Sequence, residues 1–340
     1  MTNRIVRPWR APTALIVVVL LVLGSIGARV APQGASGPSA YLGQRPPGSA
    51  PELFAPGVVS TGLNERDVAI TPDGREVYWT VNAPGSPFTT TVVSRFENGA
   101  WTSPEVLPQM ADPGAMHIEP AISPDGRHFF FTVARRSPAG RIASAEIRVM
   151  ERERDGWGAP RDPGPAINGP GRQFFPSVTR DGTLYFTRER GTEADGIYRS
   201  RLVEGRYGEP QRLPPQVNGG NGRFNAFVDP DERFLIVPME GRPDGRGGVD
   251  YYVVFRNPDD TWRDPVNLGE AVNTPGSGEY SPYVSPDGRY FFFMSSRVPD
   301  AARPQALSAA FFRDLLQRPQ NGNADIYWVN AGFIAALAKR

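Results

Sequence analysis

The chain has 340 residues, 39% of them hydrophobic, which is enough to bury a substantial core, and its 37 basic and 36 acidic residues leave a formal net charge of +1. That balance excludes the basic excess expected of a nucleic-acid binder. The absence of cysteine excludes disulfides, thiolate metal sites, a cysteine nucleophile and a lipid-modified cysteine anchor.

At the N-terminus, Arg4, Arg7 and Arg10 precede an apolar run over residues 11–28 that contains the small-residue site Ser25-Ile26-Gly27. Residues 1–28 read as a signal peptide or an N-terminal membrane anchor. A Pro/Gly/Ser-rich tract without periodicity follows, so residues 29–50 read as a flexible linker. The remainder is then expected outside the cytoplasm, in the periplasm or another extracytoplasmic space, touching membrane only through that first segment.

From residue 67 onward the sequence repeats itself. Residues 67–81 (DVAITPDGREVYWTV), 119–133 (EPAISPDGRHFFFTV), 175–188 (FPSVTRDGTLYFTR), 225–238 (NAFVDPDERFLIVP) and 279–294 (EYSPYVSPDGRYFFFM) each read as strand, tight turn, apolar strand. The turn aspartates are Asp73, Asp125, Asp181, Asp231 and Asp287, spaced by 52, 56, 50 and 56 residues. Strands repeating at a period near fifty point to a propeller or another repeat array.

Third strands follow at residues 91–96, 146–150, 196–200, 250–254 and 325–329. After the first four comes an aromatic-x-x-proline signal: Trp101 with Pro104, Trp157 with Pro160, Tyr207 with Pro210 and Trp262 with Pro265. Each proline opens a candidate fourth strand, since proline is tolerated at strand starts and edges. Proline and next turn aspartate are 21, 21, 21 and 22 residues apart, and Pro51 precedes Asp73 by 22, so Pro51 opens a fourth strand that has no first three upstream.

The fifth repeat lacks a fourth strand of its own, which predicts that the two ends meet. The expected fold is all-β: a closed β-propeller over residues 51–330, made of five four-stranded antiparallel blades, the last completed by the N-terminal strand. Six blades is the alternative, if one blade is too degenerate to recognise. Residues 331–340 read as a short C-terminal helix or tail. Two stretches break the period. Pro304 and Pro319 bound an expected helix with an apolar stripe of Ala306, Leu307, Ala310, Phe311 and Leu315, read as a lid packed on one rim. Residues 241–248 form a glycine-rich loop.

The stretches 119–126 (EPAISPDG) and 281–288 (SPYVSPDG), with 196–198 (GIY) and 325–327 (DIY), resemble the WD40-like propeller repeats of the TolB type. The resemblance spans roughly residues 51–329 and concerns the propeller alone, because the stretch between linker and first repeat is too short for the separate α/β domain of TolB. It implies a stand-alone propeller. The repeat occurs in periplasmic scaffolds, in propellers attached to peptidases and in some polysaccharide lyases, so it leaves function open.

If the strand before each turn is the innermost of its blade, the residues eight and six before each turn aspartate are the expected lining of the central channel. These are Glu65 and Asp67, His117 and Glu119, Gln173 and Phe175, Arg223 and Asn225, Glu279 and Ser281. The candidate ligand-binding residues are therefore Glu65, Asp67, His117, Glu119, Gln173, Arg223, Asn225 and Glu279. The turn aspartates are expected to be scaffold, and the recurrent aromatics to pack between sheets.

No G-x-S-x-G elbow is present, Lys339 is the sole lysine, and His117 and His128 are the only histidines, too few for a three-histidine metal site. No cofactor is expected; Asn321, Asn323 and Asp325 offer alternating oxygens for a structural calcium but not a full loop. The expected function is non-catalytic binding of a protein or cell-envelope ligand, with no nucleic-acid partner. The alternative is a polysaccharide lyase or glycoside hydrolase using channel carboxylates such as Glu65, Asp67, Glu119 and Glu279.

Overall fold

The turns show why the repeat folds as it does. Hydroxyls of Thr71, Ser123, Thr179 and Ser285 donate to the carboxylates of Asp73, Asp125, Asp181 and Asp287. The same carboxylates accept the backbone N–H groups of Arg75, Arg127, Thr183 and Arg289 at 3.1, 3.0, 3.0 and 3.1 Å. One carboxylate oxygen in each turn thereby holds both the hydroxyl and the backbone, so these aspartates serve as scaffold. Blade 4 reaches the same end differently. Asp229 stands where the others carry a hydroxyl and accepts the N–H groups of Asp231 and Arg233, both at 3.1 Å. Glu232 takes the glycine position with φ 53° and is held by Tyr185, Arg201 and Arg256.

The computed structural model describes residues 41–85, 88–275 and 278–339. These hairpins grow into five small antiparallel sheets, mostly four-stranded, set as the blades of a propeller. Blade 1 holds Asn64–Ile70, Glu76–Asn82 and Thr89–Glu97; blade 2 holds Met116–Ile122, His128–Arg136 and Ile142–Glu153. Blade 3 holds Arg172–Val178, Leu184–Glu189 and Gly196–Ser200; blade 4 holds Phe227–Val228, Phe234–Glu240 and Val249–Phe255; blade 5 holds Tyr283–Val284, Tyr290–Ser295 and Asp325–Asn330. The outer strands Glu105–Val106, Gln211–Arg212 and Val266–Asn267 each start one residue after the proline that announced them, and in blade 2 Arg161 after Pro160 bridges Val149. Glu52–Leu53 lies antiparallel to Asp325–Asn330 as the outer strand of the blade 5 sheet, Glu52 opposite Trp328 and Leu53 opposite Tyr327.

The core is divided among the seams. Tyr78, Phe129 and Trp157 fill the seam of blades 1 and 2; Phe130, Leu184 and Phe186 that of blades 2 and 3; Tyr185, Ile197, Val237 and Trp262 that of blades 3 and 4. Tyr251, Phe291 and Phe293 join blades 4 and 5, and Trp79, Trp101, Phe292 and Trp328 join blade 5 to blade 1. Each such side chain contributes about 1.5–3 kcal/mol by leaving water. Trp157 also donates from Nε1 to the Tyr78 hydroxyl at 2.8 Å, so the recurrent aromatics pack between sheets.

Three expectations change. Residues 1–28 and the first part of the linker lie outside the described residues, but the tract ascribed to the linker is already packed from Tyr41. Tyr41 and Leu42 are buried against Tyr290, Phe292 and Trp328. Gln44 clamps the backbone of Leu53 and Ala55 at 2.9 and 2.7 Å. The insertion helix is shorter than the two prolines imply, Ala309–Leu315, because the Ser308 side chain caps it by accepting the Phe311 N–H. It is also not packed down as a lid: no residue of it is buried, and Leu307, Phe312 and Leu316 are 70%, 51% and 75% exposed. At the C-terminus Gly332–Leu337 is helical, with Ile334 and Leu337 buried. Among the described residues no helix is long and apolar enough to cross a membrane.

Candidate functional site

The inner strands carry a repeated irregularity that decides where side chains point. In blades 1, 2 and 3 the pairing with the next strand shifts between Arg66 and Ala69, Ile118 and Ala121, and Phe174 and Ser177. At that place Asp67, Glu119, Phe175, Asn225 and Ser281 all adopt left-handed backbone, with φ of 59°, 60°, 51°, 52° and 67°. Each costs on the order of 1 kcal/mol for a residue with a side chain.

The compensation is visible in the backbone. The bulge turns the N–H out of its own sheet and into the preceding blade. Glu119, Phe175 and Asn225 donate to the buried hydroxyls of Thr80, Thr132 and Thr187 at 3.2, 3.2 and 3.0 Å. A bulge also breaks the two-residue alternation of a strand. As a result the residues seven before the turn aspartates, Arg66, Ile118, Phe174, Phe224 and Tyr280, all line one well on the axis.

This well has a volume of about 480 Å³ and opens on the side away from the aspartate turns. Glu119 and Asn225 also line it, with Arg136, Arg172 and Glu189 from neighbouring strands. Phe224 and Tyr280 lie with ring centroids 6.2 Å apart, and the Arg66 guanidinium sits 4.7 Å above the Tyr280 ring. A second, smaller cavity of about 130 Å³ lies on the turn side, walled by prolines that include Pro72, Pro120, Pro176 and Pro282, with Asp67 and Phe175 at its inner end.

Two buried carboxylates at the axis are held by one residue, while Arg172 pairs with Glu189 separately at the wall. Arg66 donates from Nε to Asp67 and from Nη2 to Glu119, both at 2.7 Å. Asp67 also accepts from the Ser281 hydroxyl, and Glu119 accepts the Phe175 N–H at 2.8 Å. Burial works to lower the Arg66 pKa, but Asp67, Tyr280 and Glu119 outweigh it and hold the guanidinium charged. Burial pushes Glu119 up to about 7 against the opposing pull of Arg66.

The eight expected lining residues divide by position. Asp67, Glu119 and Asn225, six before the turn, come to the axis. Those eight before it are directed back to loops. Glu65 accepts from Thr61, Gln173 donates to the Pro170 carbonyl at 3.1 Å, Arg223 donates to the Asp195 carbonyl at 2.7 Å, and Glu279 accepts from Thr274. His117 is 5% exposed beside the Phe131 ring, and burial lowers its pKa. Burial also raises Glu65 and Asp325 to about 7 at the seam of blades 5 and 1.

Sequence reasoning missed Arg66, Phe174, Phe224 and Tyr280. The aromatic residue recurring seven before the turn in blades 3, 4 and 5 was the available signal. For the calcium candidate, the Asn321 and Asn323 amides both donate to the Gly62 carbonyl, at 3.1 and 2.9 Å, and Asp325 accepts the Gln320 N–H at 2.7 Å. These contacts hold the insertion on blade 1, where a Cβ on Gly62 would lie 2.1 Å from the Leu316 carbonyl oxygen. Among the described residues no group of three or more His, Asp or Glu is placed to hold a metal ion.

The fold and its axial well define a five-bladed propeller with a polar, aromatic-walled pocket. Solved structures of similar fold include a glycoside hydrolase, at TM-score 0.50 and 10% identity over 82% of this chain and 92% of that one. TolB from Acinetobacter baumannii is similar at TM-score 0.44 and 17% identity over 78% of this chain, which spans 57% of the length of that TolB. A thermostable family-43 glycoside hydrolase is similar at TM-score 0.45 and 14% identity, over 71% and 86% of the two chains. At these identities the likeness is one of fold. No family model and no curated protein matches the chain.

Proposed function

We propose that this is an exported, TolB-type binding propeller, non-catalytic, that takes a protein or cell-envelope component into its axial well. The observation that carries the reading is the state of the channel carboxylates. Asp67 and Glu119 share one guanidinium, each at 2.7 Å from Arg66, and both have a further hydrogen-bond donor. A general acid and base acting as a pair need separate environments and access to the reacting atoms. Here the two acids are tied to each other. The arginine-rich start and apolar run of residues 1–28 support export, and the repeat motif supports the TolB type.

One observation favours the competing enzyme reading, a polysaccharide lyase or glycoside hydrolase. Glu119 is held near a pKa of about 7, the range in which a carboxyl can act as a general acid. Paired affinity capture from cell envelopes, with the wild-type chain and its Phe224→Ala variant as baits, tests the binding reading. A component retained by the wild type and lost by the variant is expected. Equal recovery on both baits, or none, would count against a ligand in the well.

A further inference from the structure

We infer that the ligand of the axial well is a saccharide unit, packed against the aromatic wall and hydrogen-bonded at the floor by Asn225. This rests on the binding reading above and names the chemistry of the same site.

Asn225 is the pivotal residue. It is 2% exposed, lines the well, and its Oδ1 has no hydrogen-bond partner among the described residues. Buried amide oxygens are nearly always satisfied, so this oxygen, closed off from solvent at the wall of the well, lacks a partner that the described residues do not supply. The left-handed backbone does not by itself call for asparagine. Asp67, Glu119, Phe175 and Ser281 adopt the same conformation at the equivalent place in the other blades. Nor is the amide needed to join blades, because that contact is made by the backbone N–H of Asn225 to Thr187.

The rest of the well fits the same chemistry. Arg66 uses Nε and Nη2 for Asp67 and Glu119, which leaves Nη1 as the edge toward a ligand. The remaining Arg66 Nη1 and the Asn225 carboxamide are hydrogen-bonding groups of the kind that pair with hydroxyls on a sugar ring. The walls include Phe174, Phe224 and Tyr280, aromatic surface of the kind that packs against the C–H faces of such a ring. A volume of about 480 Å³ falls within the range of small-ligand sites. A purely apolar ligand would leave Asn225 unpaired. A compact anion would leave the aromatic wall unused and meet Glu119 at the floor.

The test is calorimetric titration of the full chain with neutral oligosaccharides of hexose, pentose and N-acetylhexosamine type, beside a uronate oligosaccharide and an apolar peptide. Saturable binding of at least one neutral saccharide, recovered intact, is expected. Asn225→Ser, which installs the residue blade 5 carries at this place, should weaken it about tenfold or more, and Phe224→Ala likewise. Asp125→Ala on the far turn should leave affinity unchanged, and the thermal midpoint of Asn225→Ser should stay close to wild type. The saccharide inference is overturned if no neutral saccharide binds, or if binding survives both well variants. Should the peptide or uronate bind instead, and be lost in Phe224→Ala, the inference falls while the binding reading stands. Cleavage of a saccharide that Glu119→Gln abolishes would overturn the binding reading itself.

Discussion

Replacing Arg66 by methionine is the perturbation whose consequence is most fully set by the structure. Methionine keeps much of the packing on Tyr280 but removes the charge shared by Asp67 and Glu119, whose side chains are 1% and 4% exposed. Breaking a buried ion pair by deleting one partner costs about 3–5 kcal/mol. The Ser281 hydroxyl and the Phe175 N–H still serve the orphaned carboxylates, which places the expected loss near 3 kcal/mol at pH 8, toward the low end of that range.

The loss must depend on pH. Glu119 already sits above its ordinary value at about 7, so the folded state binds its proton more tightly than the unfolded chain does. Its contribution to stability therefore declines as pH rises from about 4.5 toward 7. Without Arg66 that pKa rises further and the window extends upward. Urea unfolding at pH 5.5 and 8 reads both effects: the variant should be destabilised at least about 1 kcal/mol more at pH 8. Adding Glu119→Gln should return about that much. A loss below about 1 kcal/mol, or an equal loss at both pH values, would refute Arg66 as the residue that holds the two axial carboxylates.

Other consequences can be measured on the same material. Glu65 and Asp325 are both raised to about 7 by burial, so the stability they contribute is greatest in acid and falls as pH climbs through that value. Glu65→Gln should stabilise the protein on the order of 1–3 kcal/mol at pH 8 and little at pH 5, read from urea midpoints. Phe54 is fully buried with its ring 4.9 Å from Phe292 and 5.1 Å from Trp328, so Phe54→Ala should cost about 3–5 kcal/mol in denaturant unfolding. A cost below about 1 kcal/mol would deny the first strand a place in the blade 5 sheet. Thr187→Val keeps shape but strips the acceptor from the Asn225 N–H, and should cost about 1–3 kcal/mol by calorimetric melting.

Much of the propeller was legible because its punctuation is chemical. Asp125 and Asp287 close their turns with the bonds that the Ser-Pro-Asp-Gly motif implies, and Pro51, Pro104, Pro210 and Pro265 stand one residue before real outer strands. The well was only half legible. Strict alternation selects the residues eight and six before the turn, but left-handed bulges at Asp67, Glu119, Phe175, Asn225 and Ser281 bring the residues between them to the axis. No glycine announces those bulges, and five different side chains occupy them, so local sequence carries no common mark. The anchoring of Tyr41 and Leu42 was hidden for a related reason: two apolar residues in a proline-rich tract gain their burial only from distant Tyr290, Phe292 and Trp328. Ser308, a plain N-cap in retrospect, set the start of the insertion helix that the prolines misplaced.

A binding well holds its ligand and leaves it unchanged. The direct measurement is mass spectrometry of a saturating ligand after prolonged incubation with the protein, alongside the bound fraction. The expected result is a ligand recovered intact, bound by the wild type and released by Arg66→Met. New products that disappear in a folded Glu119→Gln variant would instead make the well a catalytic site.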